Sequence, residues 1–272
     1  MNYKQNLHTH TTYVDGKDSP EQIINSAIEQ GFDSIGFSEH TYLKYSTFPN
    51  QLTPQKAEQY KREISDLKSK YKGQLDIFCG LELDYYSDID TAGYDYLIGS
   101  VHYLDCGTDI ATFDRDLVTT RAFIDTYFGG DSLKFSAKYY EMLSTFPEKY
   151  NFDIIGHFDI ITKNNEKGHF INTESKAYLN LGYSAIDALC GKVSFFEVNT
   201  GAISRGYRTK PYPQKQFLTH FKDRGFGAVI TSDCHNKRYL DRAFNDAEDI
   251  LRGAGFTSRW ILTDQGFKEI SL

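Results

Sequence analysis

The chain has 272 residues, 40% of them hydrophobic and 25% charged, with a formal net charge of −7. That length and balance suit one large α/β domain, able to bury roughly 70–75% of its extended surface without disulfide staples. No dense Lys/Arg tract and no apolar run of about 20 residues is present, which argues against nucleic-acid binding and against a transmembrane helix.

YKQNLH predicts a first strand. SPEQIINSAIEQG follows as a helix, with Ser19 as N-cap, Pro20 at the first helical position, Gln22 completing a capping box and Gly31 as the stop. FDSIGFSEH predicts a second strand. TPQKAEQYKREISDLKSKYKG is another helix, opening at Thr53-Pro54 and closing at Gly73, and its charges, Glu58 and Arg62 among them, form a solvated face. LDIFCGLEL, YDYLIGSVH, FDIIGHFDI, KVSFFEVNT, FGAVITSD and SRWILTD are short strands, apolar on both faces, as parallel strands covered by helices are. Helical patterns near 112–128, 131–149, 173–190, 213–224 and 240–254 separate several of them. About eight strands alternating with helices predict a parallel sheet closed as a (β/α) barrel.

Region 103–150 is longer than an ordinary connection and holds two helices split at Phe128-Gly129-Gly130-Asp131. It reads as an insertion near the barrel mouth, either a wall or lid of the site or a plain structural excursion. No repeat, low-complexity tract or linker interrupts the sequence, so residues 1–272 are expected to form a single domain. The high aromatic share, 20 Tyr and 20 Phe, is expected to pack the core. The four cysteines, Cys79, Cys106, Cys190 and Cys234, form no CxxC pair, and MNYKQNLHTH lacks a signal-peptide apolar region. Both features predict a cytoplasmic protein with reduced thiols, in which Cys234 fills a tight turn.

Six histidines end apolar runs: His8 and His10 in NLHTH, His40 in IGFSEH, His102 in IGSVH, His157 in DIIGH and His235 in VITSDCH. A parallel barrel gathers its strand ends at one mouth, so these imidazoles should converge there with Asp15, Glu82 and Asp233. The spacing His8-Thr9-His10 puts both rings on one strand face, and Asp233 and His235 repeat it. Singly, each has a structural explanation. Asp15 precedes Gly16 and suits a turn, Glu82 can cap a helix, and His40 or His102 can be a hydrogen-bonded core residue. Jointly they form a multi-metal hydrolytic site, with donors that suit Zn²⁺, Fe²⁺ or Mn²⁺ and do not choose among them.

The order HTH…D, SEH, GLE, SVH, GHFD, EVNTG and SDCH resembles the polymerase-and-histidinol-phosphatase (PHP) superfamily. GLELD, IGSVH, GHFDII and FEVNTGAISRG are similar to its monofunctional histidinol-phosphate phosphatases. The resemblance implies a distorted TIM-like barrel of about seven βα units with the metal site at the C-terminal mouth of the strands, so one segment above should be peripheral. It also implies three divalent ions. His8, His10, Glu82 and Asp233 would surround the first, Asp15, His40 and His235 the second, and His102 and His157 the third, with Glu82 bridging. Asp15 stands where some relatives use histidine.

The activity implied is hydrolysis of the small molecule L-histidinol phosphate, in histidine biosynthesis, with no nucleic-acid or membrane partner. A metal-bridging hydroxide would attack phosphorus, and Asp233 or His235 would relay a proton to the leaving alkoxide. The alternatives are another PHP phosphoesterase acting on nucleotides, an amidohydrolase-like deaminase, for which no convincing metal-bridging lysine is found, and a non-catalytic metal-binding protein. Arg205 in NTGAISRG is the first choice for a phosphate contact, with Arg208 and Lys210 as rivals. Glu197 and Asn199 alternate on FFEVN and either meet a polar or cationic part of the substrate or support ligands and core. Asp159 is placed to orient His157, Glu39 to serve structure, and His220 to face solvent from a helix. His169, like His220, matches no motif.

Overall fold

A computed structural model describes residues 3–46 and 50–272. In chain order its strands are β1 (Gln5–Asn6), β2 (Ser34–His40), β3 (Asp76–Asp84), β4 (Tyr96–Ser100), β5 (Tyr103–Asp105), β6 (Ile110–Thr112), β7 (Ile154–Ile155), β8 (Phe195–Asn199), β9 (Gly227–Thr231), β10 (Ser258–Thr263) and β11 (Gly266–Ser271). Its helices are α1 (Pro20–Glu29), α2 (Pro54–Lys70), α3 (Leu117–Phe128), α4 (Ser132–Thr145), α5 (Asn165–Gly168), α6 (Lys176–Leu189), α7 (Gly201–Ser204), α8 (Lys215–Asp223) and α9 (Phe244–Gly253).

Seven strands form one parallel sheet in the order β1-β2-β3-β4-β7-β8-β9. Beyond the ends of β1 and β9 a parallel bridge joins Thr9 to Cys234. There His10 N donates to Cys234 O at 2.8 Å and Cys234 N to His8 O at 2.9 Å. The sheet is thus a distorted, nearly closed seven-stranded barrel, and its closure brings HTH beside SDCH. Both faces of β2 and β3 are buried, which explains their unbroken apolar runs.

The helix punctuation has its expected physical form. Ser19 Oγ accepts from Gln22 N while Ser19 N donates to Gln22 Oε1, and Gly31 leaves α1 at φ +69°. Thr53 caps α2 by accepting from Lys56 N at its hydroxyl. All four cysteines are free, and Cys234 is buried with its thiol on Asn236 O, consistent with a space-filling role. Among the described residues no helix is long and apolar enough to cross a membrane.

Two expectations require correction. YKQNLH and FDIIGHFDI contain only two strand residues each. After Gly156 the chain leaves the sheet, because His157 N turns to the Glu197 carboxylate (2.6 Å) and a 3₁₀ turn follows at Ile160–Thr162. SRWILTD is the peripheral segment: β10 pairs antiparallel with β11 outside the barrel and is tied to β1 by the Gln5 side-chain amide on the Leu262 backbone. The strand β11 escapes sequence reading because GFKEIS is mostly exposed and has no apolar run.

Segment 103–150 begins with the β5–β6 hairpin, also not anticipated, and continues into α3 and α4. Gly129 at φ +62° ends α3, and Asp131 caps α4 by accepting from Leu133 N and Lys134 N. Phe113 packs against Phe123, Phe135 and Tyr139 with ring centroids 5.4–5.9 Å apart, and Tyr139 OH donates to Phe158 O. The two helices therefore belong to the core, while Tyr103, Thr112, Asp114 and Arg115 face the cavity described below.

Deeper in the barrel, Tyr96 is buried with its hydroxyl on Leu7 O and Phe37 O. Gly36 and Gly80 make room for this ring: a Cβ on Gly80 would lie 2.5 Å from it. Gly80→Ala is therefore expected to overpack the interior and cost about 1–3 kcal/mol, read as a lower chemical-denaturation midpoint; an unchanged midpoint would contradict this packing.

Candidate metal centre

Every carboxy-terminal strand end except that of β8 delivers ligand-competent groups to one mouth. The chain leaving β1 carries His8 and His10, and the following loop carries Asp15. Gly16 is required in that loop, since a Cβ there would fall 2.3 Å from His10 O. β2 ends on His40, β3 carries Glu82, β4 leads to His102, β7 to His157, and β9 to Asp233 and His235. Asp233 adopts φ +44°, a left-handed conformation costly for a residue with a Cβ. Gly201 accommodates it, because a Cβ there would lie 2.7 Å from that of Asp233.

Ligand atoms of His8, His10 and Asp233 lie within 4.8 Å of one another, as do those of His10, Asp15, His40 and His235, and those of His40, Glu82 and His102. Glu82 joins these groups. Its Oε2 is 3.2 Å from His8 Nε2, 3.5 Å from His10 Nε2 and 2.7 Å from His40 Nδ1. Its Oε1 is 2.9 Å from His157 Nε2 and 3.4 Å from His102 Nε2. The expected partition shifts in two respects: His10 also faces Asp15, and His40 also faces Glu82.

Beneath the cluster lies Glu197, fully buried. It accepts from His8 Nδ1 (2.9 Å), Thr231 Oγ1 (2.7 Å), His157 N (2.6 Å) and Asn199 Nδ2 (2.8 Å). Asn199 in turn accepts from Gly201 N. Neither Glu197 nor Asn199 lines the cavity, so of the two readings the supporting one fits rather than substrate contact: Glu197 holds His8 and the backbone at His157 from below, and Asn199 holds Glu197. Asp159 makes no hydrogen bond to His157; it accepts from Gln214 N and lies 3.9 Å from Arg208. Glu39 is buried and accepts from Thr11 N, a structural contact as expected. Asp84, overlooked in the sequence although it ends GLELD, accepts from His102 N at 2.8 Å and lies 3.4 Å from His102 Nδ1.

Arg205 lines the cavity, its Nη2 2.7 Å from Asp233 Oδ2 and its Nη1 2.9 Å from His235 Nδ1. Its rivals do not. Arg208 stacks on Tyr212, and Lys210 is exposed away from the cavity. His169 is exposed. His220 does not face open solvent: its Nε2 is 2.7 Å from Asp187 and its ring lies against Tyr183.

Such packing of carboxylates and imidazoles has electrostatic consequences. Burial opposes the charged form of Glu82, yet His40, His8 and His102 hold its pKa well below the ordinary carboxylate range. Burial likewise opposes Asp233, which Arg205 and His8 hold well below it. Burial lowers the pKa of His40, but Glu82 and Asp15 outweigh it and raise it to about 10. His10 goes the other way, to about 3, through burial and the neighbouring His235 and His40. The carboxylates thus draw positive charge into a site where one imidazole is too crowded to take a proton. Divalent cations meet that demand.

The polar atoms agree. His8 Nε2, His10 Nδ1 and Nε2, Asp15 Oδ1 and Glu82 Oε2 are buried without a hydrogen-bond partner. Buried polar atoms left unpaired are costly, and five in one cluster of imidazoles and carboxylates fit metal coordination. Above them opens a cavity of about 610 Å³, walled by Tyr103, Asp114, Lys163 and Tyr207 as well as Arg205.

Comparison with known proteins places this geometry in context. Residues 6–201 match the family described as PHP domain. The histidinol-phosphatase of Bacillus subtilis (strain 168) is 28% identical over 254 residues, covering 85% of this chain and 93% of its own length. That of Lactococcus lactis subsp. lactis (strain IL1403) is 26% identical over 269 residues, covering 93% and 92%. Among solved structures, histidinol phosphate phosphatase from Lactococcus lactis, complexed with zinc, L-histidinol and phosphate, aligns with TM-score 0.73 at 18% identity, over 97% of this chain and 98% of that one.

Proposed function

The chain belongs to the PHP domain family, and from that premise we propose that it is a metal-dependent phosphomonoesterase hydrolysing L-histidinol phosphate to L-histidinol and phosphate, acting as one domain in the cytoplasm. The observation that carries this reading is the convergence of His8, His10, His40, His102, His157 and His235 on Asp15, Glu82 and Asp233, with unpaired donor atoms, at the floor of a cavity that also holds Arg205. Relatives matching nearly the whole chain are histidinol-phosphatases, which supports the substrate.

Three ions are proposed. His8, His10 and Asp233 hold one, Asp15, His40 and His235 a second, His102 and His157 a third, and Glu82 is shared. Bound zinc, iron or manganese supplies a water of lowered pKa as nucleophile and neutralises phosphoryl oxygens. The protein's own groups do the rest. Glu197 accepts a hydrogen bond from His8 Nδ1, which keeps the proton there and leaves Nε2 free to coordinate. A His235 that coordinates through Nε2 keeps its proton on Nδ1, where Arg205 then finds no acceptor, so an Arg205 donor becomes available to a phosphoryl oxygen. Asp233, held ionised beside Arg205, suits accepting a proton. Asp233 would take the proton released by the attacking water and pass it to the leaving alkoxide, because a neutral His235 held through Nε2 could give only its Nδ1 proton and would be left as an imidazolate.

Removing the metal tests this reading. Phosphate release from L-histidinol phosphate should fall to background after exhaustive chelation and return on adding Zn²⁺, Fe²⁺ or Mn²⁺. Turnover that survives complete metal removal, verified by elemental analysis, would contradict it.

A further inference from the structure

Outside the ligand set, two carboxylates line the cavity, Asp84 and Asp114. Asp84 is engaged by backbone: His102 N donates to its Oδ2 and Tyr86 N to its Oδ1. Asp114 is placed differently. It sits on the connection between β6 and α3, in the wall supplied by segment 103–150. Its Oδ1 accepts from the Thr112 hydroxyl at 3.0 Å, and its Oδ2 is 3.2 Å from Lys163 Nζ. Both partners are side chains, and a carboxylate offers about four lone-pair sites. Asp114 lines the same cavity as His40, Glu82, His102 and His157. Burial lowers the pKa of His102, while Glu82, Asp84 and Asp114 raise it.

Lys163 has a second contact in the same position. Its ammonium lies 4.9 Å from the centroid of the Tyr207 ring, which also lines the cavity. A cation leaving Asp114 therefore keeps a favourable aromatic face. Lys163 and Asp114 are each only 14% exposed at the side chain, so an ion pair there is worth more than one at an open surface.

We propose that Asp114 is a specificity-determining residue that receives the ammonium of an amino-alcohol phosphomonoester, taking it in exchange for Lys163, which keeps its contact with Tyr207. The inference rests on the phosphatase reading above and adds to it the group that recognises the amine. In such an ester the ammonium stands on the carbon next to the ester carbon, so a carboxylate beside the metal floor is where recognition has to occur. The exchange also gives the empty cavity a built-in countercharge, so Asp114 is never left buried and unpaired.

The test compares kcat/KM for L-histidinol phosphate and for its deaminated analogue, the imidazolylpropyl phosphate, in wild type, Asp114→Asn and Lys163→Gln, each with metal content measured. In wild type the amine ester should be preferred. Asp114→Asn should shrink that preference by about 10–100-fold, the worth of a hydrogen bond to a charged group. Lys163→Gln should retain or increase it, because a competitor for Asp114 is gone. Calorimetric titration of L-histidinol onto the metal-loaded protein, with phosphate present, should show the same losses without turnover. Equal loss of both esters in Asp114→Asn would overturn the assignment, as would loss of the amine preference in Lys163→Gln. A wild type that binds L-histidinol no better than its deaminated analogue would overturn it as well. A wild type that turns over neither ester would defeat the phosphatase reading itself, and the titration would still decide whether Asp114 binds the amine.

Discussion

Glu82→Gln is expected to remove turnover almost completely, lowering kcat on the order of 10³-fold, with no recovery at high metal concentration. The reason is its central place. One carboxylate, 1% exposed, lies within 3.5 Å of nitrogen atoms on His8, His10, His40, His102 and His157. An amide of the same shape fills the space but brings no charge, and one of its two heteroatoms is a donor that faces donors. Metal content per chain should fall by at least one ion, as read by elemental analysis. A Glu82→Gln enzyme with full metal content and kcat within tenfold of wild type would show that Glu82 is not the shared ligand.

Glu197→Gln should behave differently. The wild-type carboxylate fixes the tautomer of His8 and the backbone at His157, so it serves two ligands at once. An amide can donate to only one side and leaves a buried mismatch with Thr231 or His157 N. Metal affinity should weaken about 10–100-fold, the usual cost of removing a group that orients a ligand histidine. Activity should be low at limiting metal and climb towards wild type as metal is raised. Activity insensitive to metal concentration would contradict an orienting role, and so would unchanged affinity in a competitive chelator titration.

The contrast between these carboxylates also shows what sequence can reveal. Glu82, Asp233 and the histidines were legible because they end apolar runs, and a parallel barrel turns strand ends into neighbours regardless of their separation in the chain. Glu197 and Asn199 were recognisable as inward-facing, since alternate residues share a face. Their depth was not recognisable. Whether an inward side chain reaches the mouth depends on how far the strand rises in the closed barrel, and strand shear is not written in a local pattern. Asp84 and Asp114 were harder still. Asp84 is the last residue of β3, where GLELD turns, and Asp114 lies on the connection after the unforeseen β5–β6 hairpin, so the placement of each depends on an adjoining loop. Length and composition could not distinguish a barrel strand from SRWILTD, which is as apolar as its neighbours but pairs as a strand with β11. The short β7 was overextended for the opposite reason. GHFDI continues the apolar pattern, but tertiary hydrogen bonds to Glu197 pull His157 out of the sheet.

The most direct test of the account is the specificity of the metal-loaded protein. Phosphate release should be measured for L-histidinol phosphate alongside a generic aryl phosphate, glycerol phosphate and a nucleoside monophosphate. The account predicts kcat/KM for L-histidinol phosphate within the ordinary enzyme range of about 10⁴–10⁸ M⁻¹s⁻¹, with the other esters far weaker. Uniformly weak turnover of all four, or preference for the nucleotide, would contradict it and leave a metal phosphoesterase site whose substrate lies elsewhere.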